Sequence, residues 1–222
     1  MKNKNIIVVR NLLRLLDLDS LRNFEIVANL VRAFGIVQWG DPVFGDEEKF
    51  KNASVDMAGM YQTPNQIAKA LVYLSEFKIE SYLEIGVFQG GNFIFVSEYL
   101  RRFNPDIKCT GLDPTNFLNP EIHAIIQSED WLEFIADTSD NIKQKYDLVL
   151  IDGEHTGGWP ERDYNNVGKF AKICMVHDIQ ETTCPDAVNF WKGLHKEKVE
   201  FLDCTSELPT QGIGIVKGGK AK

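Results

Sequence analysis

The stretch 82–93, with the sequence YLEIGVFQGGNF, constrains the fold of this chain more than any other part of it. Its first residues are apolar except for Glu84, as in a strand that a sheet buries on both faces. Gly86, Gly90 and Gly91 follow, and glycine lets the backbone turn sharply and approach a ligand closely. The stretch therefore predicts a buried strand, a glycine turn and the first turn of a helix. Open α/β sheets bind their ligands at such a turn, beyond the carboxyl end of a parallel strand.

The spacing of these glycines argues against a dinucleotide as the ligand. A dinucleotide-binding turn has the pattern G-x-G-x-x-G and directs a helix N-terminus at a pyrophosphate. Here the pattern is E-x-G-x-x-x-G-G, and Glu84 precedes the turn. A carboxylate at this position would repel a pyrophosphate, but it could pair with an amino group. An NAD-dependent oxidoreductase on a similar sheet is an alternative that this spacing opposes.

Apolar runs and helical patterns alternate from residue 82 to the end of the chain. This alternation predicts a doubly wound, Rossmann-like α/β sheet. We expect helices at 94–103, 129–142, 160–170 and 187–195. We expect the remaining strands at 107–112, 123–127, 146–151, 172–176, 198–203 and 212–216.

The first part of the chain reads as a helical extension. Residues 4–36 have apolar side chains at helical spacing, with Asp19 or Ser20 as a candidate cap and Gly35 as a candidate end. These helices either cover the core or form a subunit interface in a homo-oligomer. We expect residues 1–56 to be a helical extension and loop, and residues 57–222 to form the main domain.

A loop and one more helix connect this extension to the glycine stretch. Residues 37–62 are rich in Gly, Asp, Pro and aromatic side chains, which predicts a loop that could act as a lid. Thr63 is a candidate N-cap with Pro64 at the first helical position and Gln66 at the third. This helix is expected to run to about residue 77.

The composition limits the classes of function. The 222 residues carry a formal net charge of −8 and only short basic runs, whereas a general nucleic-acid surface needs clustered Lys and Arg. No stretch approaches the roughly 20 apolar residues that span a bilayer, and the amino-terminal residues lack a cleavable leader pattern. The four cysteines form no C-x-x-C pair, which favours buried free thiols in a reducing compartment. We therefore expect a cytoplasmic protein that contacts neither a membrane nor nucleic acid in general.

Acidic side chains follow several of the predicted strands. Glu84, Asp113, Asp152 and Asp178 each lie at or near the carboxyl end of a strand, and parallel strands bring these ends to one edge of the sheet. Stability alone does not explain a series of apolar strands that all end in carboxylates. Asp113 could accept both hydroxyls of a ribose, and a turn or cap is the alternative.

The most specific chemical signal is the segment 152–156, with the sequence DGEHT, together with His177 and Asp178. Asp152 and Asp178 follow adjacent strands, so they could share one cation such as Mg²⁺. A bound cation could hold a substrate hydroxyl and lower its pKa. His155 lies three residues after Asp152 and could accept the hydroxyl proton, although a role in structure or substrate positioning is the alternative.

These motifs resemble those of the class I S-adenosylmethionine-dependent methyltransferases. The stretch 82–93 is similar to the first motif of that family, and Asp113 to the second. Segment 152–156 with His177 and Asp178 resembles a subgroup that includes sugar and macrolide-sugar O-methyltransferases and, more distantly, the catechol type. The resemblance covers residues 57–217, and a mostly parallel seven-stranded sheet with an antiparallel last strand is expected.

The resemblance implies a role for each of the residues that match. Glu84, Gly86, Gly90 and Gly91 would hold the methionine part of S-adenosylmethionine, Asp113 its ribose, and Ser128 the adenine side, with Asp152 also next to the cofactor. Asp152 and Asp178 would bind Mg²⁺, and Asp152 and His155 would be catalytic, with His155 as the base. His177 stands where an oxygen ligand is usual. Because imidazole suits Mn²⁺ better than Mg²⁺, a different ion, a purely supporting role for His177 and a metal-free reaction all stay open.

The function that these expectations support is O-methylation of a hydroxyl group on a small molecule or sugar. The alternatives are a catalytically inactive module that binds S-adenosylmethionine and a hydroxylase-like relative on the same fold. Residues 37–62 and 154–162 are expected to shape the acceptor site, where Trp39, Tyr61 and Trp159 could stack on a ring or sugar.

Overall fold

The computed structural model describes residues 4–35, 60–202 and 211–218. The α-helices are α1 (Lys4–Leu15), α2 (Leu18–Leu21), α3 (Phe24–Phe34), α4 (Pro64–Leu74), α5 (Gly91–Phe103), α6 (Pro120–Ser128), α7 (Trp159–Asn166) and α8 (Pro185–Gly193). The strands are β1 (Ser81–Ile85), β2 (Lys108–Leu112), β3 (Leu132–Ile135), β4 (Leu148–Ile151), β5 (Ile173–His177), β6 (Lys198–Phe201) and β7 (Ile213–Lys217). Two short 3₁₀ helices lie at Ser139–Asn141 and Gly168–Phe170.

The seven strands form one sheet with the order β3-β2-β1-β4-β5-β7-β6. Strand β7 runs antiparallel to both of its neighbours, and the other pairs are parallel. The strand order reverses between β1 and β4, which is the position where doubly wound sheets open a crevice for ligands. This architecture confirms the predicted Rossmann-like sheet with an antiparallel last strand.

Alternating side chains along the central strands point to two hydrophobic clusters, one on each face of the sheet. Tyr82 and Leu148 belong to the cluster that includes side chains of α1, α3, α4, α5 and α6. Leu83 and Val149 belong to the other cluster, which Tyr164 of α7 and Trp191 of α8 join. Because both faces are covered, the central strands are apolar throughout, as the sequence pattern predicted.

The N-terminal helices cover part of the first cluster. Helix α1 buries Ile6, Val9 and Leu13 completely or almost completely. Next to this apolar contact, the Arg14 guanidinium reaches Glu98 of α5 at 2.7 Å, and the side chain of Glu98 is 1% exposed. Covering the core is therefore one role of these helices, whereas the predicted boundary after residue 56 and a subunit interface stay predictions.

Two secondary-structure predictions were wrong, and one cause explains both. Residues 123–127 lie inside helix α6, and the stretch 129–142 contains strand β3 instead of a helix. The side chain of Asn119 caps α6 by accepting the amide of Glu121, and Pro120 occupies the first turn. Three isoleucines at helical spacing then bury one face of α6: Ile122, Ile125 and Ile126. The helical period of this apolar run was mistaken for a strand, which displaced the next strand.

The predicted helix ends need smaller corrections. Asn23 caps α3 with its side chain, so neither Asp19 nor Ser20 has this role, whereas Gly35 does end the helix with φ +114°. Thr63 occupies the N-cap position of α4, but its hydroxyl donates to the Gln211 side chain at 2.7 Å. Helix α4 ends at Leu74, three residues before the predicted end.

Candidate active site

The predicted strand-end residues meet at the carboxyl edge of the sheet. A cavity of about 190 Å³ lies there between β1, β4 and β5. The predicted site residues that line it are Glu84, Gly86, Gly90, Gly91, Asp152, His155, His177 and Asp178. Asp113 lines an adjoining cavity of about 500 Å³, which shares Gly86, Phe88 and Asp152 with the first.

The glycine turn after β1 places the backbone against β4. Gly86 has φ +87°, and a Cβ atom there would lie 2.1 Å from the carbonyl oxygen of Asp152. Its amide donates to the carbonyl oxygen of Leu112 at 2.8 Å, which ties the turn to the end of β2. Only glycine tolerates both the positive φ and this close approach to Asp152. Gly86 therefore brings the two cavities and the ends of β1, β2 and β4 together.

The first side of the small cavity, which we call the β1 wall, consists of Glu84 and Asn92, and the buried Tyr82 is hydrogen-bonded to Glu84. The Tyr82 hydroxyl and the Asn92 amide, the latter at 3.1 Å, both donate to Oε2 of Glu84. Glu84 is 1% exposed, and burial raises the pKa of its carboxyl to about 8. Among the described residues, Oδ1 of Asn92 has no hydrogen-bond partner although it is buried. The β1 wall thus offers acceptors to a ligand that carries a cation or donors.

The opposite side, which we call the β4–β5 wall, consists of Asp152, His177 and Asp178. Nδ1 of His177 lies 2.9 Å from Oδ1 of Asp152 and 3.2 Å from Oδ2 of Asp178. Burial lowers the pKa of His177, but the two carboxylates outweigh this effect and hold the pKa well above its usual value. Burial also opposes ionisation of Asp178, and the charge of His177 overcomes it and keeps the pKa of Asp178 low. The charges of this wall therefore compensate one another.

The arrangement of the β4–β5 wall fits a divalent cation. One donor atom from each of its three residues lies within 4.8 Å of the others. His177 is 3% exposed, and within the described ranges neither ring nitrogen makes a hydrogen bond of normal geometry. Asp178 has φ +58°, a conformation that is unusual for a residue other than glycine and common at functional sites. A buried imidazole beside two carboxylates is a ligand set that a divalent metal can use.

His155 lies on the loop that follows β4 and faces the same wall. Its Nε2 lies 3.2 Å from Oδ2 of Asp178, and its side chain is 32% exposed. Together with Asp178 and the buried Cys184 it forms a second group of possible ligands within 4.8 Å. His155 is thus close enough to the carboxylates to be oriented by them and open enough to reach a substrate.

The larger cavity has features suited to a nucleoside. Each carboxylate oxygen of Asp113 accepts a backbone amide at 3.0 Å, from Phe88 and from Thr115. The turn that was the alternative for Asp113 is therefore present, and the carboxylate still lines the cavity. Asp137, Thr138 and Trp159 also line this cavity, and the rings of Phe88 and Phe117 lie 5.8 Å apart beside it.

No protein-family model matches this chain, and neither does any curated protein. Solved structures do match it. An O-methyltransferase from Bacillus cereus, solved with SAH, has 12% sequence identity and a TM-score of 0.57 over 88% of this chain and 100% of that chain. The O-methyltransferase TomG from Streptomyces achromogenes, solved with SAM, has 12% identity and a TM-score of 0.53 over 71% and 81%. The N-methyltransferase NodS from Bradyrhizobium japonicum has 12% identity and a TM-score of 0.50 over 68% and 94%.

The chain has the fold of the class I S-adenosylmethionine-dependent methyltransferases. At these identities the likeness establishes the architecture, and the chemistry must be argued from the residues. Among the described residues of this methyltransferase fold, no helix has both the length and the apolar character to cross a membrane.

One predicted site residue lies away from the others. Ser128 ends helix α6 at the opposite edge of the sheet, where its hydroxyl donates to the carbonyl oxygen of Ile125. Residues 123–127 are helical, so Ser128 does not follow a strand whose carboxyl end lies beside the ligand. The residues that follow β3, Asp137 and Thr138, line the larger cavity instead.

The sequence analysis also missed two glutamines of the small cavity. Gln62 donates from Nε2 to Oδ2 of Asp152 at 2.6 Å, and Gln211 holds the neighbouring Thr63. Gln62 was included only in a general loop region, and no local pattern marks either residue. Tyr61 lines the small cavity and Trp159 the large one, whereas Trp39 lies outside the described residues.

Proposed function

We propose that this protein is an S-adenosylmethionine-dependent methyltransferase that acts on a hydroxyl group of a small molecule or sugar, with the help of a divalent cation. The observation that carries the proposal is the convergence of Glu84, Asp152, His155 and Asp178 on one cavity beside the glycine turn. The similar structures solved with SAM and SAH support the choice of cofactor.

The two cavities would divide the cofactor between them. The α-amino group would pair with the carboxylate of Glu84 in the small cavity, close to the backbone of Gly86, Gly90 and Gly91. The adenosine would occupy the larger cavity, with Asp113 beside the ribose and Asp137 beside the adenine. The shared residues Gly86 and Asp152 would then lie next to the sulfonium, which places the methyl group near the β4–β5 wall.

The chemistry requires an acceptor hydroxyl in line with the methyl group. The acceptor oxygen forms a bond to the methyl carbon while the bond from this carbon to sulfur breaks, and S-adenosylhomocysteine leaves. His155 would take the hydroxyl proton on its imidazole, and Asp178 would orient the ring and stabilise the imidazolium. Holding the two reactants about 3 Å apart supplies much of the rate enhancement.

A divalent cation would increase the acidity of the acceptor hydroxyl. Asp152, Asp178 and His177 would hold it, because their donor atoms lie within 4.8 Å of one another and the ion would replace the proton that the imidazole shares with the two carboxylates. The imidazole favours Mn²⁺ over Mg²⁺ in this set, although both are candidates.

The net charge of the chain and the outer face of α1 bear on the acceptor and the partners. We propose a small-molecule acceptor and no general nucleic-acid contact, because the net charge of −8 disfavours the binding of a polyanion. An interface between copies of this chain is also proposed for α1, whose outer face exposes Ile7, Val8, Leu12 and Leu15. A cytoplasmic location stays a prediction from the composition.

Calorimetric titration with S-adenosylmethionine, with and without Mg²⁺ or Mn²⁺, tests the proposal. Micromolar binding of the cofactor, and a metal heat that Asp152→Ala and Asp178→Ala remove, would support it. Methyl transfer to a panel of sugars and catechols would then identify the acceptor, and His155→Ala should abolish turnover without weakening cofactor binding. The absence of cofactor binding would overturn the proposal, and cofactor binding without turnover on any acceptor would favour an inactive module.

A further inference from the structure

Gln62 is a buried residue of the small cavity whose amide nitrogen is hydrogen-bonded and whose amide oxygen, among the described residues, is not. It is 3% exposed, and its Nε2 donates to Oδ2 of Asp152 at 2.6 Å. Its Oε1 is buried and has no hydrogen-bond partner among the described residues. A buried amide oxygen without a donor costs free energy, so this oxygen is expected to meet a donor when the cavity is filled.

The orientation of the Gln62 amide is fixed by charge. An amide has one donating and one accepting end, and a carboxylate can only accept. If the amide were reversed, Oε1 would lie against Oδ2 of Asp152 and two acceptors would face each other. The nitrogen must therefore face Asp152, and the oxygen must be the atom that remains for a ligand.

The backbone around Gln62 is held rigidly from the other side. The side chain of Gln211 accepts from the amide and the hydroxyl of Thr63, at 2.8 and 2.7 Å, and donates to the carbonyl oxygen of Tyr61. Gln211 has φ +56°, and its backbone amide donates to Oε2 of the buried Glu181 at 3.0 Å. Both neighbours of Gln62 are thus pinned to the turn before β7, and Gln62 is preorganised.

Gln62 lies beside the junction of the two cavities. It contacts Asp152, one of the three residues that belong to both cavities. If the proposed function holds, the sulfonium of the cofactor lies at this junction, and the inference rests on that function. The positive sulfur polarises the hydrogens of its methyl group, which makes them weak donors toward an oxygen.

We propose that Oε1 of Gln62 is the acceptor that faces the transferable methyl group and makes this residue a determinant of cofactor specificity. The site would thereby distinguish S-adenosylmethionine, which has a positive centre there, from the product S-adenosylhomocysteine, whose sulfur is neutral. Such a preference would help the product to leave, because the favourable contact is lost when the methyl group is transferred.

Three ligands test the proposal by calorimetry, and no acceptor substrate is needed. They are S-adenosylmethionine, S-adenosylhomocysteine and sinefungin, an analogue with a protonated amine in place of the methylated sulfur. A charged N–H group donating to Oε1 is a strong hydrogen bond, so Gln62→Met should weaken sinefungin about tenfold. We expect a few-fold loss for S-adenosylmethionine and a less than roughly twofold change for S-adenosylhomocysteine.

A second variant separates the accepting oxygen from the donating nitrogen. Gln62→Glu replaces the amide nitrogen by a carboxyl oxygen that would share a proton with Asp152, and it keeps an oxygen toward the ligand. It should therefore retain or increase the preference for sinefungin over S-adenosylhomocysteine. Gln66→Met is the matched control, because Gln66 is equally buried but its oxygen accepts the amide of Gly212.

The outcomes are distinguishable. Equal losses for all three ligands in Gln62→Met, or no loss for any, would overturn the role of Gln62 while leaving the cofactor class intact. Loss of the preference in Gln62→Glu would also overturn it. If the unaltered protein binds none of the ligands, the proposed function itself fails.

Discussion

The β1 wall and the β4–β5 wall of the small cavity handle buried charge in opposite ways. Glu84 has only neutral donors beside it, and burial raises the pKa of its carboxyl to about 8. Asp152 and Asp178 share the imidazole of His177, which holds the pKa of Asp178 low. One wall therefore needs a charge from outside to become ionised, whereas the other is already ionised. This difference fits a cationic ligand at the first wall and acid–base or metal chemistry at the second.

The largest effect is expected from the wall whose charges compensate one another. Asp152→Ala removes a carboxylate that neighbours His177 and lines both cavities. Breaking a buried ion pair leaves an uncompensated group, so the free energy of unfolding should fall by about 3 kcal/mol. Urea denaturation measures this change, and metal titration should show no heat.

The matched control for this variant is Asp130→Ala, which removes an exposed aspartate near the opposite edge of the sheet. Its free energy of unfolding should stay within about 0.5 kcal/mol of the unaltered protein. If the two variants were equally stable, the internal compensation inferred for the β4–β5 wall would be wrong.

The turn that joins the two walls gives the next effect. In Gly86→Ala the new Cβ would lie 2.1 Å from the carbonyl oxygen of Asp152, and the residue would keep φ +87°. Steric conflict and backbone strain together should lower the free energy of unfolding by about 2–4 kcal/mol and abolish cofactor binding.

Gly157→Ala separates the two causes, because Gly157 has φ +60° but its nearest contact for a Cβ lies at 3.7 Å. Strain alone should cost about 1 kcal/mol there. A similar loss in both variants would show that the close approach of β1 and β4 contributes little.

The acidic residues of both walls could be predicted from the sequence for a simple reason. Asp152 and Asp178 directly follow apolar strands, and the carboxyl ends of parallel strands meet by geometry. The topology of the sheet follows from the same alternation. The sequence analysis missed α6 and β3, because it took the short apolar run of α6 for a strand although its three isoleucines have helical spacing.

Residues whose role depends on distant contacts were also beyond the sequence. Gln62 meets Asp152 across 90 positions, and Gln211 meets Thr63 across 148. Neither glutamine belongs to a periodic or charged pattern, so only the folded chain reveals them. The charge compensation between His177 and the two carboxylates was also beyond the sequence, since it depends on the register of β4 and β5.

A smaller effect is expected when the carboxyl of the β1 wall is made permanently neutral. Glu84→Gln keeps the shape of the side chain, and Glu84 is largely protonated at neutral pH. Stability should therefore change by less than about 1 kcal/mol at pH 7, unlike that of Asp152→Ala. Cofactor affinity should fall roughly tenfold, because the ion pair with the amino group is lost. Calorimetry measures the affinity and urea denaturation the stability of the same samples. A fall in stability without a fall in affinity would contradict the role proposed for Glu84.

The finest test of the comparison is the pH dependence of the β1 wall. The pKa of Glu84 is about 8 in the folded protein and 4.5 for the ordinary side chain. Between these values the folded state holds more protons than the unfolded state, so the contribution of Glu84 to stability falls as the pH rises. Pairing with the amino group of the cofactor should reverse this, because the complex needs the carboxylate. Cofactor binding at pH 6.5 should then release close to one proton from Glu84.

Calorimetry in two buffers with different ionisation enthalpies measures this proton directly. Affinity should rise by up to about tenfold per pH unit between pH 6 and 7.5, and it should level off as Glu84 ionises in the free protein. In Glu84→Gln both the proton release and the slope should disappear. A flat affinity in the unaltered protein would mean that Glu84 stays neutral in the complex. The β1 wall would then recognise the cofactor by hydrogen bonds alone, and the contrast with the β4–β5 wall would lie in stability but not in binding.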